Sequence, residues 1–270
     1  MSRLAYEADI DPAQRLDIER RVGEIEKRYA VHVLFAVESG SRAWGFPSPD
    51  SDYDVRFVYA HAAETYMSIF ERRDVIELPI EGDLDINGWD IRKALALLLK
   101  PNPVLLEWLS SPIRYKWDDE ACEVLLDFAH GVIAPQECIP HYYHLALRQW
   151  QRSIEGETSV NLKKYFYVLR PALAIRWVRL NPDALPPMNF QGLVAGSDID
   201  AELEAGIADL LQAKAQTREM GSGERIPALD DLIRNELSWG AENAGSKHVV
   251  TLAEREQADQ LFRKLVRWPQ

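Results

Sequence analysis

Three aspartates carry the chemistry this chain could do: Asp52, Asp54 and Asp85. The first two stand two residues apart at the head of an apolar run, 55–60. Side chains alternate faces along a strand, so Asp52, Asp54 and Arg56 share one face while Tyr53, Val55 and Phe57 share the other. Two carboxylates on one strand face suit a hard cation that takes oxygen ligands. In the later segment Leu84-Asp85-Ile86-Asn87-Gly88, Asp85 and Asn87 face one way and Leu84 and Ile86 the other. A lone aspartate in an apolar strand is a candidate third ligand. Upstream, Gly40-Ser41 ends another apolar run, 31–37, and residues this small let a backbone come close to phosphate. The set reads as a nucleotide-binding and metal-binding core.

Strands and helices must hold these groups. Asp11-Pro12 has the form of an N-cap followed by proline at the first helical position. Leu16, Ile18, Val22, Ile25 and Tyr29 recur at helical spacing, which predicts a helix over 12–29. The run 31–37 is short, apolar and β-branched, and reads as a strand buried on both faces. Residues 41–51, rich in Ser, Pro, Gly and Asp, are loop or helix start. Strands are expected over 53–60, 74–80 and 84–88, with a short helix over 66–70. Asp90 is placed to cap a helix over 91–99, Pro101-Asn102-Pro103 breaks it, and 105–109 is helical again. From about 118 the pattern is wholly helical, with helices near 118–130, 136–155, 160–180, 199–218, 227–239 and 251–267. Pro171 should kink the third of these, and 181–198 and Gly221-Ser222-Gly223 read as connectors. Residues 1–10 read as a loose lead-in. The expected class is α+β: a mixed sheet with flanking helices over 1–116, then an all-helical half over 117–270.

Composition narrows the options. The 270 residues, 47% apolar and 27% charged, fit a soluble globular chain of one large domain or two small ones. A net charge of -12 argues against a protein that coats a nucleic-acid backbone, and leaves room for a nucleotide held through a metal or for a local basic patch. Cys122 and Cys138 are too few for a disulfide framework or a zinc site, which fits a reducing cytoplasm. The first ten residues carry acidic groups and no apolar core, unlike a signal peptide. No stretch approaches the ~18 apolar residues that span a bilayer. His141 and His144 stand three apart on an expected helix, but with no Cys or third His nearby a surface or core role is the simpler reading.

The string Gly40-Ser41-Arg42-Ala43-Trp44-Gly45, followed by Ser48, Ser51-Asp52-Tyr53-Asp54-Val55-Arg56 and the later Asp85, resembles the nucleotidyltransferase domain of the DNA polymerase beta superfamily. It is similar in particular to the RNA-repair-pathway branch. Blocks at 85–95, at 102–109 followed by Ser111-Pro112, and at 163–171 strengthen the likeness, which runs from about 34 to 178; nothing after 181 enters it. Phe57 stands where many relatives carry Gly, a change expected to alter packing behind the strand.

The resemblance implies a polymerase-beta-like mixed sheet and transfer of a nucleoside monophosphate from an NTP, with ATP expected, to an acceptor hydroxyl with release of pyrophosphate. It implies Mg²⁺, with Mn²⁺ as the substitute, held by Asp52 and Asp54 and shared with Asp85, which also takes the proton. Gly40 and Ser41 would approach the phosphates, and Arg42 and Arg56 would reach phosphate or brace a carboxylate. Lys93, Asn102, Lys163, Tyr167 and Arg170 would be nucleotide or acceptor contacts. Each has an ordinary reading beside that one. Lys93 is a solvated helix residue, Asn102 a turn residue, and Lys163, Lys164, Tyr167 and Arg170 a wet helix face. Trp44 is a packing anchor, or a ring that stacks on a base. RNA is the acceptor the resemblance implies, whereas the acidic balance favours a small molecule or a protein side chain. The helical half is expected to close over the nucleotide and help choose the acceptor. Two other functions compete: a catalytically silent nucleotide sensor, and an antitoxin-like modifier of a protein partner. A membrane is not expected as a partner, and the oligomeric state is left open.

Overall fold

Asp11 and Pro12 begin the first helix as their chemistry dictates. The Asp11 carboxylate accepts from the amides of Ala13 and Gln14, both at 3.0 Å, and Pro12 has no amide to satisfy. A computed structural model describes residue 6 and residues 8–216, 221–245 and 248–266. The elements in order are α1 (Pro12–Tyr29), β1 (Val31–Glu38), α2 (Gly40–Trp44), β2 (Tyr53–His61), α3 (Ala63–Tyr66), β3 (Val75–Glu77), β4 (Leu84–Asp90), α4 (Ile91–Leu98), α5 (Val104–Leu109) and β5 (Arg114–Trp117). There follow α6 (Asp119–Val132), a 3₁₀ turn (Pro135–Cys138), α7 (Ile139–Ser153), β6 (Ser159–Asn161), α8 (Lys163–Leu180), α9 (Phe190–Ala195), α10 (Ala201–Gln216), β7 (Ser222–Glu224), α11 (Pro227–Asn243) and α12 (Leu252–Leu265). The architecture is the expected mixed α/β front and mainly helical back.

Several details differ from the sequence reading. The strand expected over 74–80 keeps only Val75–Glu77, and Pro79, which has no amide to donate, follows closely. The short helix lies at Ala63–Tyr66, and Met67, Ile69 and Phe70 after it are exposed. Strand β5 occupies a stretch given no element, because four residues alternating charge with aromatic are too few to show a period. The back half is not wholly helical: β6 pairs with β7, so Gly221-Ser222-Gly223 is part of a ribbon, and α9 lies inside the connector. Helix α8 continues through Pro171 as one element. Most of the lead-in, and the last residues of the helices expected to end at 218 and 267, lie outside the described residues.

The chain divides into two compact units built from interleaved segments. The sheet unit takes Ala8–Ala43, Asp52–Ile133 and the described residues from His248 onward. Its five strands run in the order β3-β4-β2-β1-β5, with β2 and β4 parallel and every other pair antiparallel. Helix α1 buries Ile18, Val22 and Ile25 against Val33, Val55, Phe57, Tyr59 and Ile86 of the sheet. Helices α4, α5 and α6 also pack on the strands, and α12 packs on α4 and α6, so the last helix belongs with the sheet. Phe57 sits opposite Gly88, where a Cβ would fall 2.4 Å from the Phe57 ring. The ring thus fills space that only glycine leaves, and its full burial stabilises the sheet by about 2–3 kcal/mol.

The helical unit takes Tyr6, Trp44–Ser51 and the described residues between Ala134 and Gly245. Helices α7, α8 and α11 pack on one another. Helix α8 buries Tyr165, Phe166, Val168, Leu169 and the whole run 170–175, and leaves Lys163, Lys164 and Arg179 at its ends. Between α8 and α11, the fully buried Glu236 accepts from Arg176 at 2.9 Å and Arg179 at 2.6 Å. Among the described residues, no helix is long and apolar enough to cross a membrane.

Candidate active site

Parallel pairing of β2 and β4 sets Asp54 opposite Asp85 and Arg56 opposite Asn87. The two carboxylates therefore meet on one face, and Arg56 lies between them. Its Nη2 donates to Asp54 Oδ1 at 3.0 Å and to Asp85 Oδ2 at 2.8 Å. Its Nη1 donates to the carbonyls of Val55 and Asp85 at 3.0 and 3.1 Å, which fixes the guanidinium plane. Asn87 Nδ2 donates to Asp85 Oδ1 at 3.3 Å. Burial pushes the Asp54 carboxyl up from its ordinary range; Arg56 opposes this, and the charges of Asp85 and Asp52 add to it. Asp52 is exposed just before β2, and its carbonyl accepts from Arg42 Nε at 3.2 Å. The Arg42 guanidinium lies 4.0 Å from the centre of the Tyr53 ring.

Gly40 closes this site from the other side. Its φ is +61°, and a Cβ there would fall 1.9 Å from Asp54 Oδ2. Backbone conformation and the space beside the carboxylate both demand glycine. Ser41 next to it is buried, and the Ser39 amide donates to the Asp54 carbonyl at 2.8 Å.

Sequence reasoning missed Glu38. It is the last residue of β1 and fully buried. Its Oε1 accepts from the Asp54 amide at 2.8 Å and its Oε2 from the Tyr115 hydroxyl at 2.5 Å. Burial pushes its carboxyl up to about 7, although the Tyr115 hydroxyl and the Asp54 amide favour the charged form. The same pairing pushes the Tyr115 hydroxyl up, with its own burial as the largest cause. The available signal was an acid closing an apolar strand directly before Ser39-Gly40-Ser41. Tyr115 gave none, since its strand was not expected.

The donor set suits a hard divalent cation. Among the described residues no group of three or more ligating side chains is already drawn together. Yet oxygens of Asp54 and Asp85 already hold one positive group between them, the Arg56 guanidinium, and Asp52 precedes them by the two-residue step. The residues fit such an ion as a carboxylate pair with an outer third.

A model of the RNA repair pathway DNA polymerase beta family matches residues 15–264. The chain belongs to that family. The match covers the helical unit as well as the sheet, beyond the span in which motifs alone were legible. The chain is 45% identical over 213 residues, 79% of its own length and 81% of the relative's, to a protein of Bacillus subtilis strain 168 named uncharacterized protein YcgL. A solved structure, a nucleotidyltransferase-like protein from Exiguobacterium sibiricum 255-15, aligns at TM-score 0.30 and 13% identity over 92% of this chain and 75% of that one; a likeness that low carries no weight.

The residues of the family's remaining blocks have partners of their own. Lys93, on the first turn of α4, pairs with Asp74 at 3.1 Å. Asn102 accepts from the Val104 amide at 3.0 Å and so caps the start of α5. Lys163, Tyr167 and Arg170 belong to the helical unit. Lys163 lies 3.3 Å from Asp50, and Tyr167 meets the rings of Trp44 and Phe46 edge-on. Arg170 is buried, donates to the Met188 carbonyl at 3.1 Å and stacks 4.5 Å from the Trp44 ring. This corrects the reading of that stripe as a wet face: its Arg170 end is inside. Trp44 is a packing residue of the helical unit.

Proposed function

We propose that this protein transfers a nucleoside monophosphate from an NTP, with ATP expected, to an acceptor hydroxyl. The observation that carries the reading is the Asp54–Arg56–Asp85 arrangement beside Gly40, a pair of carboxylates already holding positive charge next to a backbone that only glycine permits. The acceptor oxygen attacks the α-phosphorus, its proton passes to Asp85, and pyrophosphate leaves with the electron pair of the broken P–O bond. The amides of Gly40 and Ser41 approach the outer phosphates, and Arg42 and Arg56 orient the chain. Asp52, Asp54 and Asp85 would hold Mg²⁺, with Mn²⁺ as the substitute; bound there, the ion neutralises the triphosphate and acidifies the acceptor hydroxyl. The family's description supports RNA as the acceptor.

A second reading is a nucleotide-binding protein without turnover. Arg56 favours it, because its charge already satisfies both carboxylates. The test incubates the protein with each α-labelled NTP and Mg²⁺, with cell extract split into RNA, protein and small-molecule fractions, and follows pyrophosphate. Label in one fraction with pyrophosphate release is expected, and Asp52→Asn/Asp54→Asn should lower the rate on the order of a thousandfold. A double variant as fast as wild type would sink the assignment, and nucleotide binding without release would select the silent reading.

A further inference from the structure

At the end of the sheet opposite the carboxylates, β2 and β4 finish at His61 and Asp90. A pocket of about 300 Å³ opens there. Asp90 is five residues beyond Asp85 on the same strand, roughly 17 Å at ~3.3 Å per residue. Tyr66, Phe70, Arg72, Arg73, Arg92 and Lys93 line the pocket. Two of its cations are already paired, Arg73 with Glu77 and Lys93 with Asp74. Arg72 and Arg92 make no ion pair and no side-chain hydrogen bond among the described residues. Two guanidinium groups without carboxylate partners thus face one pocket in a chain of net charge -12.

The pocket's own acids do not supply such partners. Asp74 is engaged by Lys93, and Asp90 accepts from the Tyr66 hydroxyl at 3.0 Å and from the Arg92 amide at 2.8 Å. Only Glu71 remains as an exposed carboxylate on the lining. The Arg92 guanidinium is held over the Tyr66 ring at 4.8 Å and the Phe262 ring at 5.7 Å, so its donors are oriented before any ligand arrives. Beside it stands an apolar lip: Ile69 is 90% exposed and Phe70 is 76% exposed. A single exposed apolar residue is ordinary, but adjacent ones next to two guanidinium groups without carboxylate partners form a patch.

We propose that this pocket docks a single-stranded segment of RNA, with Arg72 and Arg92 on consecutive phosphates and Phe70 stacked on a base. Planar guanidinium forks match phosphodiester oxygens, and an exposed ring takes an unpaired base of any identity. A double helix would offer the phosphates but hide the base faces from Phe70. The strand would thus be gripped at one end of β4 while its reacting end lies at the other. That purpose rests on the proposed transfer reaction; the binding does not.

The test uses the full chain without NTP. Anisotropy of a fluorescein-labelled 15-nucleotide RNA is measured between 50 and 200 mM KCl, against the same sequence as a duplex. Wild type should bind the single strand and prefer it to the duplex. Arg72→Gln with Arg92→Gln should weaken binding at least tenfold and reduce the salt slope by about 1.4, at ~0.7 per phosphate contact. Since Arg92 also packs on Tyr66 and Phe262, the exposed Arg72→Gln and Phe70→Ala are tested singly, each with a loss of at least threefold. The proposal fails if wild type does not bind, if the single variants stay within twofold, or if duplex competes equally. It fails equally if RNA affinity is unchanged in these variants while a protein partner is lost. An RNA that binds here and gains no label once NTP and Mg²⁺ are added overturns RNA as the acceptor and leaves the docking intact.

Discussion

Both units bury an ionisable side chain, and they hold it by opposite means. In the sheet unit Glu38 has a donor for each carboxylate oxygen, the Asp54 amide and the Tyr115 hydroxyl. In the helical unit Lys214, 1% exposed, donates to the Phe46 carbonyl and otherwise faces rings: Phe46 at 4.5 Å, Phe166 at 5.5 Å and Tyr167 at 5.8 Å. The environments oppose both charges. Burial raises the Glu38 carboxyl to about 7, and burial with the neighbouring Lys163 lowers the Lys214 ammonium to about 8 against the pull of Asp50. The sheet recruits partners through strand register, one strand away. The helical unit recruits Lys214 and Phe46 from positions 168 residues apart. Polar groups in the sheet are therefore placed by the backbone, and in the helical unit by side-chain packing.

If that contrast is right, a backbone change should damage the sheet site most. Gly40→Ala puts a Cβ into left-handed backbone and onto the Asp54 carboxylate, which Arg56 holds from the other side. The expected cost is about 3–4 kcal/mol, from the left-handed penalty and the disturbed ion pair. Urea unfolding measures it. Nucleotide transfer should fall further than stability does, since the displaced atom is the carboxylate itself. A variant within ~0.5 kcal/mol of wild type, the usual range for a neutral surface change, would show that Asp54 has room to move and that register does not fix it.

Glu38→Gln sharpens the contrast by pH. The folded carboxyl titrates near 7 and the unfolded one near 4.5, so between these values the folded state binds the proton more tightly. Wild-type stability should fall as pH rises from 4.5 through 7, by about 3 kcal/mol relative to the glutamine variant, and the difference should level off above the folded value. Parallel denaturation series for the two proteins test this. A difference that grows in favour of wild type with rising pH would mean that the Tyr115 and Asp54 hydrogen bonds outweigh the desolvation of the carboxylate.

The same contrast explains what could be read in the sequence. Asp54, Arg56 and Asp85 were legible because strand alternation is a local rule and parallel register carries it across to β4. Gly40-Ser41 was legible as a turn that needs small residues. Glu38 was hidden because its meaning depends on Tyr115, on a strand too short to announce itself. Lys93 and Asn102 came from family likeness; Lys93, read as solvated on its own, pairs with Asp74, a partner that local sequence did not indicate, whereas Asn102 bonds the nearby Val104 amide as a turn residue does. In the helical unit, α7, α8 and α11 were visible from periodicity, but the insides of their packing were not. Arg170 reads as solvated on a helical wheel and is buried because Trp44, far away in the chain, supplies the surface it stacks on. Lys214 carries no local sign of burial at all, since its cover is the 46–50 loop and α8.

The smallest expected effect tests whether those rings satisfy the Lys214 charge. Its folded ammonium loses its proton near 8 and an unfolded lysine near 10.5, so between these values the unfolded state binds the proton more tightly. Stability should therefore rise with pH from 8 to 10.5 in wild type and not in Lys214→Met, which also removes the buried charge at pH 7. The methionine loses the hydrogen bond to the Phe46 carbonyl, so its net gain at pH 7 is only about 1 kcal/mol. Subtracting the two denaturation series cancels the tyrosines that titrate in the same window. A difference that stays constant from pH 7 to 10.5 would mean that the Phe46 carbonyl, the rings and Asp50 together solvate the ammonium as well as water does. The helical unit would then hold its buried charge by packing better than the sheet holds Glu38 by register, since burial still raises that carboxyl to about 7.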